Sequence, residues 1–474
     1  VYALILAGAA AGRFYNLGKR DFWYDEAVSG LILGTAPGEM MRLIIEDTHP
    51  PLYYLVAKPF GWFLGYSPVS LRLLSALAGT LIVALVMYVA KIAAGRRAAW
   101  YAGSLAAISP FLIVYAQEAR MYALLGLLHL LTLASFIRAA MTRRAGDIIT
   151  WGVAAGLSLL THYASFISLA AYALAGAVCY RRLRPLSTFL PGVLTAGLIL
   201  APWLPWFIIQ FLDREARIGW IAPATFFDLC KTLAIFAIGL PPGELSLGMP
   251  PANRVAAADP LSVAAAAALI FGAVMGAFLR LSRRSLPQNI LFVHTAGTIG
   301  AAYALSLYGE NYFVARYLIG SGAALSVIFG IWLAETRWWI AGAFLCAYAA
   351  VLALTVKPEV PDGYRILKST LSADNGPVYV LDPFEYVIAA YYFGRERVVL
   401  YNINDPRYNP RGWAGIWHEP RRLESLAGLT AEDGHLIIRS RPYWSYENRE
   451  TEIKRLFGRT QQLDNLQLFS HPVR

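Results

Sequence analysis

The chain has 474 residues, 57% of them hydrophobic and only 15% charged, with a formal net charge of +11. Soluble domains carry about 25% charged residues, so this composition excludes a soluble globular protein and points to a polytopic membrane protein. Nor does the positive charge mark a nucleic-acid binder: residues 357–474 hold 16 Lys/Arg against 15 Asp/Glu, and the excess lies in the apolar half, 25 against 15.

In chain order, residues 1–14 read as the tail of a first span, without the basic leader of a signal peptide. Two polar islands follow, FWYDEAVSG (Phe22–Gly30) and EDTHPPLYYL (Glu46–Leu55). Around them Glu26–Ile45 and Leu52–Leu64 are amphipathic and are expected to lie along the interface, inside a long outer loop of about 15–69. Apolar runs of spanning length occur near 70–94, 98–115, 120–140, 187–208, 260–281, 286–307, 315–335 and 338–355. The run 148–180 is long enough for two short spans broken at Thr161-His162-Tyr163, which makes about eleven spans in all. A second long loop, about 209–259, holds Phe226–Ile238 and then the Pro/Gly-rich PPGELSLGMPP, which reads as a mobile loop or lid.

From Lys357 the texture changes. PVYVLD, RVVLYNI and HLIIRS are short β-type runs, whereas FEYVIAAYYF and TEIKRLFGRT have helical spacing. The expected fold class is therefore mainly α, a polytopic membrane protein (1–356), with a small α/β domain (357–474) outside the membrane. No GxGxxG or phosphate loop is present in the sequence, so no nucleotide is expected. Cys179, Cys230 and Cys346 are too far apart to argue a disulfide framework or a metal site.

Loop charge orients the spans. Alternation gathers Lys91, Arg96, Arg97, Arg138, Arg143, Arg144, the arginines of 181–184 and 280–284, and Arg337 on one side, 13 basic residues against two acidic ones. The opposite loops of the apolar half carry 12 basic and 13 acidic residues. The positive-inside rule makes the first side cytoplasmic and leaves both islands, Glu118, Arg120, His162, Glu310, Arg316 and the C-terminal domain outside.

Carboxylates at a membrane face are costly unless solvated or used. Asp25-Glu26 reads either as an acidic first helical turn or as a general base or cation ligand in an aromatic, partly desolvated pocket. Asp47-Thr48-His49-Pro50-Pro51 reads either as a turn before an interfacial helix or as part of a divalent-metal site, which His162 could join. In YAQEARMY, a helical 115–122 would put Tyr115, Glu118 and Tyr122 on one face and turn Arg120 elsewhere. Arg120, Arg316 and, more weakly, Lys231 are the cations suited to hold a phosphate at the outer surface. His129 and His294 fall mid-span and read as packed helix-interface residues.

WYDEA (Trp23–Ala27), DTHPPLYYL (Asp47–Leu55), SLRLLSALAG (Ser70–Gly79), SPFLIVYAQEARMYAL (Ser109–Leu124), THY (Thr161–Tyr163) and ARYLIGSG (Ala315–Gly322) form an ordered set. That set resembles the GT-C glycosyltransferases, in the branch of protein O-mannosyltransferases and bacterial lipid A aminoarabinose transferases, over roughly residues 1–355. The resemblance implies transfer of a sugar from a polyprenyl- or dolichyl-phosphate carrier on the non-cytoplasmic face. It gives Asp25 the acceptor hydroxyl, makes Glu26 its support and puts Arg120 and Arg316 on the donor phosphate; Tyr115, Tyr122 and Lys231 are further substrate-binding candidates from their position. Relatives differ in metal use; by position Asp47, His49, Glu118 and His162 are the candidate ligands. Thr-His-Pro-Pro stands where the aminoarabinose branch has acid-Lys-Pro-Pro, so the local pattern is closer to the mannosyltransferases. The absence of a β-trefoil repeat weighs against a protein acceptor, and lipid and glycan acceptors stay open beside it. Compact loops and a short chain point to a bacterial cell-envelope enzyme of the plasma (inner) membrane. A lipid-linked-sugar flippase is the alternative; against it, the sequence shows no half-repeat and no charged midplane.

Overall fold

A computed structural model describes residues 1–179, 185–212, 223–238, 285–307, 312–355, 363–371, 376–380, 383–401, 421–423, 435–439, 459–463 and 466–470. The expected span 260–281, the loop Pro241–Pro251, the basic clusters 181–184 and 280–284, and Glu310 lie outside them.

The described chain is mainly helical: α1 (Tyr2–Phe14), α2 (Tyr24–Gly34), α3 (Pro37–Glu46), α4 (Leu52–Leu64), α5 (Pro68–Ile108), α6 (Pro110–Ala116), α7 (Tyr122–Thr142), α8 (Ala145–Leu159), α9 (Ser165–Val178), α10 (Leu190–Leu200), α11 (Leu204–Leu212), α12 (Phe226–Ile238), α13 (Leu286–Leu307), α14 (Ile319–Glu335) and α15 (Trp338–Thr355). Among the described residues, five helical stretches are long and apolar enough to cross a membrane: Pro68–Ile108, Tyr122–Thr142, Ser187–Leu212, Leu286–Leu307 and Ala315–Glu335. Helices α1, α8, α9 and the Trp338–Ala350 part of α15 are apolar but shorter, below the roughly 20 residues of a full span.

Helix α5 shows how one residue sets the layout. Forty-one helical residues would reach about 60 Å, twice the hydrocarbon thickness. Gly95 interrupts them at φ 86°, a conformation that only glycine adopts freely. The two halves fold back on each other, and a Cβ on Gly103 would stand 2.4 Å from Met87 Cγ. Helix α14 lies along α5 and α7 at similarly close range: a Cβ on Gly330 would meet the Ala102 backbone N at 2.6 Å, and one on Gly320 the His129 Cβ at 2.5 Å. Small residues let apolar helices approach where no water drives them together. His129 and His294 bond Ser165 (2.9 Å) and Ser168 (3.2 Å) across helix contacts, as packed interface residues do.

The first loop folds into three short helices. The stretch Glu26–Ile45 is two elements, α2 and α3, broken at Thr35-Ala36, because the residue before Pro37 is pushed out of the α region. Lys58 of α4 donates to Leu33 O (2.5 Å) and Thr35 O, placing its cation at the negative C-terminus of α2. Gln210 of α11 donates to Ile44 O (2.9 Å), Ile45 O (3.2 Å) and Asp47 O (2.7 Å) and ties down the end of α3.

Residues after Gly363 form α16 (Tyr364–Thr370), β1 (Val378–Val380), α17 (Pro383–Phe393), β2 (Val398–Tyr401), β3 (Arg421–Leu423), β4 (His435–Arg439), β5 (Arg459–Leu463) and β6 (Leu466–Ser470). The sheet order is β3-β2-β1-β4-β6-β5. Strands β3, β2, β1 and β4 are parallel, and β6 pairs antiparallel with both β4 and β5. Helix α17 makes the crossover between the parallel neighbours β1 and β2, whose Val378, Val380, Val398 and Leu400 are buried. TEIKRLFGRT is not helical at its end: Arg459 and Thr460 pair with Ser470 and Phe469 in the β5–β6 ladder, and 451–458 lie outside the described residues.

This α/β unit docks on the first loop. Tyr391 of α17 meets the Phe22 ring at 4.7 Å, the Tyr392 hydroxyl accepts from Phe22 N at 2.9 Å, and Arg365 Nε pairs with Asp21 Oδ1 at 2.7 Å.

Candidate active site

The site is built around the start of α2. Asp25 and Glu26 lie in its first turn, where acids face the positive end of the helix dipole, but the two side chains have different surroundings. Glu26 is fully buried. Arg72 Nε and Nη2 donate to its two oxygens at 2.7 Å each, Ala119 N adds a bond at 2.7 Å, and Arg20 lies at 3.4 Å. Burial alone would raise the Glu26 pKa; the charges of Arg72 and Arg20 and these hydrogen bonds outweigh it and hold it below the usual range. Arg72 also donates to Leu17 O, Arg20 O and Asp21 O and stacks on Phe22. The segment entering α2 is thus wrapped round one buried guanidinium.

Asp25 is 21% exposed and has Arg120 Nε at 4.0 Å from its Oδ2. Arg120 is held by Ser29 Oγ at 3.1 Å and by Asp25 O at 3.4 Å. Glu118 and Arg120 are not on a helix: α6 ends at Ala116, α7 begins at Tyr122, and 117–121 form a turn. Two helix bonds are replaced by tertiary ones, since Ala119 N goes to Glu26 and Arg120 O accepts from Ser75. The turn aims Arg120 at Asp25, contrary to the helical expectation.

Arg316, in the turn before α14, lies over Tyr122 (5.5 Å) and Tyr317 (5.8 Å). The Nε atoms of Arg120 and Arg316 are buried without a hydrogen-bond partner, as is Glu118 Oε2. Burial, then the neighbouring Glu26 and Asp25 charges, push the Glu118 pKa up to about 8, against the pull of Arg20 and Arg316. With that pKa Glu118 is mostly protonated at neutral pH and adds little negative charge beside Arg20 and Arg316. Tyr115 meets Tyr122 at 5.5 Å, and Tyr317 meets Tyr122 and His162 at 6.3 and 4.5 Å, making an aromatic wall. Lys231 is half-buried on α12, a helix that touches the Arg316 turn and α14.

Asp47 and His49 form the next wall. His49 Nδ1 is 3.1 Å from Asp47 Oδ2, which also accepts from the Tyr54 hydroxyl at 3.3 Å. Burial would raise the Asp47 pKa, but His49, by charge and hydrogen bond, then Arg120 and the Thr48 N–H, bring it down to about 2. The His162 ring stands 5.5 Å from that of His49, and its Nδ1 accepts from Ala164 N. Burial, then the His49 and Arg120 charges, keep His162 neutral, well below its usual pKa. Among the described residues no three His, Cys, Asp or Glu side chains converge as metal ligands. The expected set Asp47, His49, Glu118 and His162 is therefore not assembled: Asp47 and His49 bond each other, and the Arg120 cation occupies their flank. No step below uses a metal.

The sequence reading missed Arg72, Arg20, Tyr54, Ser29 and Tyr317. For Arg72 a signal existed, because an arginine inside an apolar run calls for a partner.

Residues 48–206, about a third of the chain, match the family model described as dolichyl-phosphate-mannose-protein mannosyltransferase. The match includes His49, Arg72, Glu118, Arg120 and His162, and leaves out Asp25 and Arg316. The whole chain superposes on the crystal structure of ArnT from Cupriavidus metallidurans bound to undecaprenyl phosphate, covering 100% of this chain and 99% of that one, with a TM-score of 0.65 at 14% identity.

The chain has the fold of ArnT.

The apo form of the same ArnT gives a TM-score of 0.63 at 15% identity. The crystal structure of the Archaeoglobus fulgidus oligosaccharyltransferase in complex with Zn and sulfate gives 0.50 at 14% identity over 84% of this chain and 61% of that one. No curated protein matches the chain by sequence. The likeness extends through the α/β unit as well as the helices, since the ArnT superposition spans both chains.

Proposed function

We propose that the chain is an integral membrane glycosyltransferase that moves a sugar from a polyprenyl-phosphate carrier to an acceptor alcohol on a lipid, glycan or protein. The observation that carries this reading is Asp25, partly open, facing Arg120 and Arg316, whose Nε atoms are buried and unpartnered. A base beside two guanidinium groups that each keep an unpartnered Nε is what transfer from a phosphate needs. The ArnT structure with the same fold holds undecaprenyl phosphate, which supports a lipid-phosphate donor here.

In this mechanism Asp25 takes the proton of the acceptor hydroxyl. The alkoxide oxygen attacks the anomeric carbon, and the bond from that carbon to the phosphate oxygen breaks with its electron pair staying on the phosphate. Arg120 and Arg316 hold the polyprenyl phosphate as its charge grows. Inversion follows from attack opposite the leaving group. Glu26 never meets substrate; it fixes α2 through Arg72. Tyr115, Tyr122 and Tyr317 wall the sugar, and Lys231 is carried on α12, the helix that packs against the Arg316 turn.

The loop-charge asymmetry supports an outer-face site in the plasma (inner) membrane, with residues 357–474 as an extracytoplasmic domain and 1–356 as the catalytic one. The purified protein, incubated with a panel of polyprenyl-phosphate hexoses and pentoses and read by mass spectrometry, releases bare polyprenyl phosphate. If every donor returns intact while crossing the bilayer, the chain is a flippase instead.

A further inference from the structure

A second cavity, of about 740 Å3, lies behind α2. Its walls are Gly30 and Gly34 of α2, Tyr66-Ser67-Pro68 at the start of α5, and Lys368 and Arg395 beside α16 and α17. Gly34 follows Asp25 by nine residues, half a turn around at 100° per residue, so the cavity and the candidate active site occupy opposite faces of one helix.

Three cations line it, Arg365, Lys368 and Arg395, and the Glu396 carboxylate stands against the lining residue Gly394. Arg365 is spent on Asp21. Lys368 is exposed and has no ion-pair partner among the described residues. Arg395 keeps a buried Nη2 without a hydrogen-bond partner. Burial lowers the Arg395 pKa, and Glu39, an acid that counters this, is already bonded by Arg42 at 2.5 and 2.9 Å.

Apolar side chains stand next to its walls. The wall residue Tyr66 packs on Gly61 and Lys58 of α4, whose neighbours Trp62 and Phe63 are 58% and 84% exposed, and Val69 and Ile366, adjacent in sequence to wall residues, are exposed too. Ile366 sits between Arg365 and Lys368 on α16. Large apolar side chains flanking cations, at the level where α5 enters the apolar layer, match the boundary between acyl chains and headgroups. A soluble anion would use the cations and leave these apolar side chains without purpose.

We propose that this cavity binds an anionic membrane phospholipid, with the headgroup phosphate on Lys368 and Arg395 and the acyl chains along Trp62, Phe63 and Val69. The bound lipid ties α16 and α17 to the start of α5 and clamps the α/β unit against the rear of α2. The site is independent of the transfer reaction and stands or falls by binding alone.

The test places the full chain in phosphatidylcholine nanodiscs with and without phosphatidylglycerol, counts retained lipid by native mass spectrometry and records the melting temperature. Wild type retains phosphatidylglycerol and melts higher with it. Lys368→Gln/Arg395→Gln binds it roughly thirtyfold more weakly, the loss expected for two cations at a lipid surface. Lys368→Gln alone, at an exposed position that does not threaten folding, gives roughly a fivefold loss. Equal retention by the variants overturns the proposal, as does an equal gain in melting temperature from inorganic phosphate without phosphatidylglycerol.

Discussion

Glu26 and Arg72 form a closed pair: both oxygens of the carboxylate are met by the guanidinium at 2.7 Å, and neither side chain exceeds 1% exposure. Because Arg72 also carries three carbonyls of the segment before α2, the pair fixes where Asp25 stands.

Removing one partner strands the other charge in the interior. Arg72→Ala or Glu26→Ala is expected to cost about 3–5 kcal/mol, seen as a large drop in melting temperature together with loss of activity. A double-mutant cycle on melting temperature shows strong coupling between the two sites. Additive losses would mean that the pair does not act as a unit.

In the proposed reaction Arg120 and Arg316 act on the donor. Arg316→Ala and Arg120→Ala each lower kcat about a hundredfold or more, the usual effect of removing one donor to a developing oxyanion. Arg316→Lys keeps the charge but loses the planar fork and recovers only part of the rate. Donor titrations with each variant check this; full kcat with only a raised KM would confine the arginines to ground-state binding.

Glu118 makes stability depend on pH. Its carboxyl titrates near 4.5 in a model peptide and is raised to about 8 in the folded chain by burial, then by Glu26 and Asp25. Between those values the folded chain holds a proton that the unfolded chain has released, so stability falls as pH rises through the window and levels off above it. Glu118→Gln removes this contribution. Melting curves at pH 6 and pH 9 should show a smaller fall for the variant than for wild type, and equal falls would count against a raised Glu118.

Gly30 marks the contact between α2 and the α/β unit. A Cβ there would stand 2.6 Å from Tyr391 Cε2 and 3.2 Å from Phe22 Cε2. Gly30→Val therefore displaces the Tyr391 ring, whose hydroxyl bonds Tyr66 O at 2.6 Å, at a cost of about 1–3 kcal/mol. Limited proteolysis reads this as faster release of the α/β unit; an unchanged pattern would mean the contact does not hold the unit.

Asp25, Glu118, Arg120 and Arg316 were legible as candidates because charges stand out in an apolar chain. The geometry of 115–122 was not, because its residues are good helix formers and the turn exists only through distant partners, Glu26 and Ser75. Arg72 was visible as a motif letter, but its role depends on a carboxylate 46 positions away. The pairing of Asp21 with Arg365 spans 344 residues and leaves no local pattern. The strand runs 378–380, 398–401 and 435–439 were readable from β-type composition. The end of TEIKRLFGRT was not, since its helical spacing yields to pairing with Leu466–Ser470.

Asp25→Asn gives the most direct test of the proposed chemistry. The variant keeps the size of the side chain and its place in α2, so melting temperature and polyprenyl-phosphate binding stay near wild type. Release of polyprenyl phosphate in single turnover, from the donor that the wild type uses, falls by about two to four orders of magnitude. Turnover at the wild-type rate would contradict Asp25 as the base and with it the site proposed around it.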